Sequence, residues 1–142
     1  MSCLLCEQPG GDLVWQDEAC RVVLPSEPGY PGFVRVIAQP HVAEMTDMSK
    51  AQRAHVMAVV WTCEAVLRRV MQPTKVNLAS LGNMVPHLHW HVIARFEGDA
   101  HFPGSVWSEP QREVPATRLA QWQAAAQALP VALREALMEV TP

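Results

Sequence analysis

Three of the six histidines in the chain stand at alternate positions within five residues, His87-Leu88-His89-Trp90-His91. In a strand, alternation sends all three imidazoles to one face, with about 6.5–7 Å between successive Cα atoms on that face. Leu88, Trp90 and Val92 then point the other way and can pack on a core. Histidine has no special strand preference, so a merely solvated face explains the threefold repetition poorly. A metal site is the serious competitor, yet same-face strand neighbours are splayed for a single ion, and metal ligands usually come from several segments. Phosphoryl chemistry suits the pattern better. Neutral imidazole, with a pKa of about 6.5, is a nucleophile toward phosphorus near pH 7. Neighbouring imidazoles and backbone N–H groups can counter the charge on phosphate oxygens. That chemistry requires no cofactor.

These side chains need a scaffold, and the sequence supplies one. Leu13–Trp15, Cys20–Leu24, Phe33–Ala38, Lys75–Ala79 and His87–Phe96 read as strands. Residues 25–32, rich in Pro and Gly, read as loop, and residues 1–12 as an irregular lead-in. The clearest helix spans residues 50–71. Val56, Val59, Val60, Cys63, Val66, Leu67 and Val70 form its apolar stripe, Asp47 or Ser49 can cap it, and Pro73 stops it. A further helical segment, about 116–140, is expected to break at Pro130. Strands in succession around one long helix, without regular alternation, indicate an α+β domain with an antiparallel sheet.

The bulk numbers agree with one compact domain over residues 1–142. The chain is 49% hydrophobic and 18% charged, with a net charge of −3, which excludes a disordered polyelectrolyte. Its cations are scattered, with Arg68-Arg69 the one local cluster, too little to track a nucleic-acid polymer. No apolar run is long enough for a membrane span, and the first residues lack the basic start and apolar run of a signal peptide. The expectation is therefore a cytoplasmic protein with reduced thiols, in which Cys20 and Cys63 are small buried side chains.

The segment from Asn77 through Gly82-Asn83 to His87-Leu-His89-Trp-His91-Val-Ile-Ala-Arg95 resembles the signature of the histidine-triad (HIT) hydrolases, in the form found in bacterial HIT domain proteins. Pro31-Gly32-Phe33-Val34-Arg35-Val36-Ile37, then His41 and the long helix, follow that family's order, so the likeness spans about residues 3–107. It implies a HIT-like fold of five antiparallel strands, one long helix and a C-terminal helical extension, with two copies pairing into a homodimer. It also implies a small-molecule nucleotide as substrate. His89 would be the nucleophile forming a nucleotidyl-histidine (phosphohistidine-type) intermediate, and His91 would bind the phosphate and assist the leaving group. Asn77 would lie near the ribose or scissile phosphate, and Asn83 would stand where many members carry Gln. The ribose-binding Asp has no match, leaving Ser26 and Glu27 as the nearest candidates. Ala94 replaces a common Pro, and Arg95 reads equally well as a solvated strand end. The implied activity is hydrolysis releasing a nucleoside monophosphate from dinucleoside polyphosphates or phosphoramidates. A nucleotidyl transferase and a non-catalytic nucleotide-binding protein are the alternatives.

Cys3-Leu4-Leu5-Cys6 is by itself a weak motif, without the helix start of a redox pair. In zinc-containing members of the family such a pair is joined by a histidine after the Pro-Gly strand and by the first triad histidine. The matching positions are His41 and His87, so the resemblance implies a structural zinc on Cys3, Cys6, His41 and His87; two free thiols are the alternative. His55 is expected on the exposed or flanking face of the long helix. His101 falls in a loop, and Trp107 could wall a base pocket or pack elsewhere.

Overall fold

The computed structural model describes residues 2–140; Met1, Thr141 and Pro142, the ends of the expected 1–142 domain, lie outside the described residues. Strands β1 (Asp12–Gln16), β2 (Cys20–Leu24), β3 (Phe33–Ala38), β4 (Lys75–Ala79) and β5 (His89–Arg95) form one antiparallel sheet in the order β1-β2-β3-β5-β4. The helices are α1 (Leu4–Glu7), α2 (Lys50–Met71), α3 (Ala116–Ala126) and α4 (Leu129–Leu137). The architecture is α+β. Among the described residues no helix is long and apolar enough to cross a membrane.

The alternation of each central strand decides which face is covered. Val22, Val34, Val36, Val92 and Ala94 are buried together with Val56, Val59, Val60, Cys63 and Leu67 of α2. Valines cost a helix about 0.5 kcal/mol each in propensity, but each gains about 1.5–3 kcal/mol on full burial. Burial wins, and the stripe sets the helix on the sheet. Ser49 caps α2: its hydroxyl accepts from the Gln52 N–H, and the Gln52 side chain accepts from the Ser49 N–H. Asp47 instead closes a short 3₁₀ turn, Met45–Asp47. Gly32 permits a close approach at the start of β3, since a Cβ there would sit 2.8 Å from the Ala94 Cβ.

Four details differ from the sequence reading. The lead-in contains α1, one helical turn in which the Cys3 carbonyl accepts from the Cys6 and Glu7 N–H groups, drawing the two cysteines together. The C-terminal break falls at Gln127–Ala128, not at Pro130; Pro130 sits in the first turn of α4, where a missing N–H is harmless. The last strand begins at His89, so His87 lies just outside it. His55 is buried, with Nε2 2.6 Å from Asp17 Oδ2. Asp17 also accepts from the Ala19 and Cys20 N–H groups in the β1–β2 turn, and so ties α2 to that turn. Cys20 and Cys63 are buried free thiols, which burial pushes well above the ordinary thiol range, Cys20 to about 12.

Candidate active site

The sheet face turned away from α2 holds the candidate side chains. Along β5 the alternation presents His89, His91, Ile93 and Arg95 on it. The cross-strand partners are Ile37 opposite His89, Arg35 and Ala79 opposite His91, and Phe33 and Asn77 opposite Ile93. Directly paired residues share a face, so strand register alone gathers His89, His91, Arg35 and Asn77. Two small apolar clusters flank them, Leu5-Val23-Ile37 and Tyr30-Phe33-Ile93.

Each triad histidine is held differently. His87 is fully buried, and its Nε2–H donates to the Ala38 carbonyl at 2.6 Å. In the neutral ring the lone pair is then on Nδ1. His89 is the reverse case: its Nδ1 lies 2.6 Å from the His87 carbonyl, which can only accept, so Nδ1 is protonated and Nε2 carries the lone pair. Ser80 braces this segment by donating to the His89 carbonyl at 2.8 Å. The His91 ring meets His89, Phe33 and Trp107 edge-on, with centroids 5.0, 5.4 and 5.1 Å away. Its Nδ1 is buried without a hydrogen-bond partner among the described residues.

Burial keeps both strand imidazoles neutral. It lowers the His89 pKa below the ordinary range, against the opposing effect of the His87 carbonyl; the Arg35 charge adds to the lowering. For His91, burial first, then His89 and Arg35, bring the pKa down to about 4. The unfolded chain protonates His91 near pH 6.5 while the folded chain resists until about pH 4, so stability falls as pH drops through that window. We expect the wild-type Tm to decline between pH 7 and 5 more steeply than that of His91→Gln, by thermal scans at matched ionic strength. Parallel curves would contradict the assignment.

The cysteine pair and two histidines meet at the edge of this face. His87 Nδ1 lies 3.4 Å from Cys3 Sγ, 3.5 Å from Cys6 Sγ and 3.3 Å from His41 Nδ1, and Cys6 Sγ is 3.3 Å from His41 Nδ1. Tetrahedral zinc bonds of about 2.3 Å to sulfur and about 2.0–2.1 Å to nitrogen place two nitrogens about 3.3 Å apart and a nitrogen about 3.5 Å from a sulfur. The spacing fits a Cys₂His₂ zinc site. The His87 bond to Ala38 reinforces the fit, because it orients a bare Nδ1 into the cluster.

The family model of the HIT domain matches residues 7–98. The chain belongs to the HIT family. An AP-4-A phosphorylase from Mycobacterium tuberculosis is 30% identical over 98 residues, covering 65% of this chain and 50% of that protein. A bis(5'-nucleosyl)-tetraphosphatase (asymmetrical) from Schizosaccharomyces pombe is 24% identical over 108 residues, covering 72% and 59%. The chain thus spans about half the length of the curated relatives it matches. A histidine triad protein of known structure from Marinobacter aquaeolei VT8 aligns with a TM-score of 0.69 at 27% identity, covering 92% of each chain.

Within this HIT fold the other sequence candidates separate. Asn77 Oδ1 accepts from Arg95 Nη1 at 2.8 Å, which fixes the amide and leaves its NH₂ to donate elsewhere. Arg95 is not a solvated strand end. It is 2% exposed, paired through Nε and Nη2 with Asp99, itself 1% exposed, and donates to the Gly104 carbonyl. Asp99 also accepts from the Phe96, His101 and Phe102 N–H groups and from the Tyr30 hydroxyl. The Arg95 guanidinium and these amides hold its carboxyl below the usual range against burial, which acts the other way. His101 joins the network through Nδ1, 2.6 Å from the Tyr30 hydroxyl. Ser26 and Glu27 line a cavity of about 350 Å³ with Asp12, Tyr30 and Phe33, and Phe33 connects it to His91. Asn83 is exposed in the loop before His87 and makes no hydrogen bond to the triad among the described residues. Three contributors escaped the sequence reading: Ser80, the Tyr30–Asp99 pair, and Arg35. Only Arg35 left a clear signal, a charge on an otherwise apolar strand.

Proposed function

We propose that this HIT protein releases a nucleoside monophosphate from a dinucleoside polyphosphate or a nucleoside phosphoramidate through a covalent nucleotidyl-His89 intermediate. The observation that carries the proposal is the His89 Nδ1–H bond to the His87 carbonyl. It leaves Nε2 as a free nucleophile and gives the ring a fixed acceptor for the positive charge that develops on attack.

In the first step Nε2 forms a bond to the α-phosphorus while the bond from phosphorus to the leaving oxygen or nitrogen breaks. A polyphosphate departs as the anion; an amine departs with a proton taken from solvent. In the second step water attacks phosphorus, loses its proton to solvent or the site, and the P–N bond breaks, regenerating neutral His89 and freeing the monophosphate. His91, within reach of the same phosphate, donates to a non-bridging or leaving-group atom. Asn77, with its amide oriented by Arg95, donates to the ribose or phosphate. Ser26 and Glu27 border the nucleoside end, and Asn83, exposed in the loop before His87, would donate its amide to the phosphate side.

Cys3, Cys6, His41 and His87 would hold the zinc. Held there, zinc would tie the N-terminal turn to the sheet and fix the His87 ring, and with it the carbonyl that orients His89. We expect about one zinc per chain by elemental analysis. A chelator should lower Tm by ~5–10 °C, corresponding to about 3 kcal/mol of linked binding. Cys6→Ser should remove the response; an unchanged Tm with chelator would exclude the site.

A homodimer joined through the edge strand β4 is part of this proposal. Arg134 Nε donates to the Val14 carbonyl on the outer edge of β1, whereas β4 forms the opposite edge of the sheet. Continuation through β4 would satisfy its ladder groups and place two sites in one particle.

The test is product analysis with a dinucleoside tetraphosphate, an adenosine phosphoramidate and ADP-glucose, each with and without inorganic phosphate. AMP formed without phosphate supports hydrolysis. The relative named a phosphorylase keeps one rival in view: ADP formed only with phosphate would assign nucleotidyl transfer. AMP binding with no turnover of any compound would overturn both.

A further inference from the structure

Arg35 occupies an unusual position for a cation. It lies mid-strand in β3, between Val34 and Val36, which face the core, and shares its own face with Phe33 and Ile37. A charge placed there costs desolvation, which depresses its pKa. Such a charge is normally retained only with a partner. Yet among the described residues the ion pairs are His55–Asp17 and Arg95–Asp99, and Arg35 belongs to neither. Its protein hydrogen bond runs from Nη1 to the Gly10 carbonyl at 2.9 Å, a neutral acceptor. Its Nε is buried and has no hydrogen-bond partner among the described residues. Glu27 is the carboxylate whose field reaches it, without ion-pair contact.

The surroundings say what is missing. Arg35 is the direct cross-strand neighbour of His91, and its charge bears on both His91 and His89. Three arginines share this face by register. Arg95 is paired with Asp99, and Arg21 donates through Nε, Nη1 and Nη2 to protein acceptors. Arg35, beside the nucleophile, is the one with a buried donor that has no partner among the described residues. It stands one strand away from His89 and its guanidinium reaches toward Gly10, away from β5. The charge is thus offset from the atom that would be attacked. Resting on the reading of the site given above, we propose that Arg35 is a specificity-determining residue that binds the phosphate chain beyond the reacting phosphorus. The site would then favour polyphosphate-linked substrates over phosphoramidates, which have no such chain.

The test compares the wild-type protein with Arg35→Gln and Arg35→Lys on a dinucleoside tetraphosphate and on an adenosine phosphoramidate. A charge-assisted contact to the chain predicts a loss in kcat/KM of about 10- to 100-fold for Arg35→Gln on the tetraphosphate. The loss on the phosphoramidate should be less than about threefold, because the chain contact is not made there. Arg35→Lys should fall between, keeping charge without the planar fork. If Arg35 only fastens the Gly10 segment, both substrates suffer equally, and that result overturns the proposal. Calorimetric binding of inorganic tripolyphosphate keeps the two questions apart. Should the wild-type protein turn over neither substrate, the catalytic reading fails. Tripolyphosphate bound at least about tenfold more weakly by Arg35→Gln would then still uphold the anion site. Equal affinity, or no binding to the wild type, would overturn it.

Discussion

Replacing His89 with asparagine is expected to lower kcat by about ten-thousandfold or more, the scale on which removing a covalent nucleophile acts, while AMP binding persists. Asparagine can still donate an amide N–H to the His87 carbonyl, which His89 Nδ1 now occupies at 2.6 Å, so the local backbone keeps its partner. What disappears is the lone pair on Nε2. An activity assay on the tetraphosphate and the phosphoramidate, with AMP affinity measured in parallel, separates lost chemistry from a collapsed site. Residual activity within tenfold of the wild type would show that water attacks phosphorus directly. In that case His91, neutral because burial holds it near pKa 4, would be the group to examine as general base.

Arg95→Met carries the largest expected effect on stability. It leaves Asp99, 1% exposed, without its guanidinium partner, and stranding one member of a buried pair typically costs about 3–5 kcal/mol. For a chain of this length that is ~10–20 °C in Tm. Two independent readouts follow. Adding Asp99→Asn should recover part of the loss, because the uncompensated charge goes with it. Activity should fall further than unfolding explains, since Arg95 also fixes the Asn77 amide at 2.8 Å. A Tm change under about 3 °C would show that Asp99 is sufficiently satisfied by the Phe96, His101 and Phe102 amides and the Tyr30 hydroxyl.

Much of the scaffold could be read from the residues. Val56, Val59, Val60, Cys63, Val66 and Leu67 admit one helical face, whereas the last strand rests on its length and Val-Ile content, since periodicity alone does not settle it. The five strands and the long helix follow in the order expected from the family likeness. What stayed hidden depends on partners distant in sequence or placed in loops. His55 sits at the margin of the apolar stripe, and only its contact with Asp17, on the β1–β2 turn, shows that it is buried. Arg95 looks like a strand end because Asp99 comes after a turn, and nothing local announces that the chain folds back over both. The boundary at His87 was misplaced because its imidazole bonds Ala38 from outside the strand. Alternating residues alone do not reveal where ladder pairing stops.

The most direct test of the covalent route is to stop a single turnover of the wild-type protein with dinucleoside tetraphosphate under neutral or alkaline conditions and map the adduct by mass spectrometry. A nucleoside monophosphate on the peptide carrying His89, formed and discharged at rates compatible with turnover, is the predicted result. Turnover that proceeds with no adduct, or with the adduct on His91, would contradict the role assigned to His89.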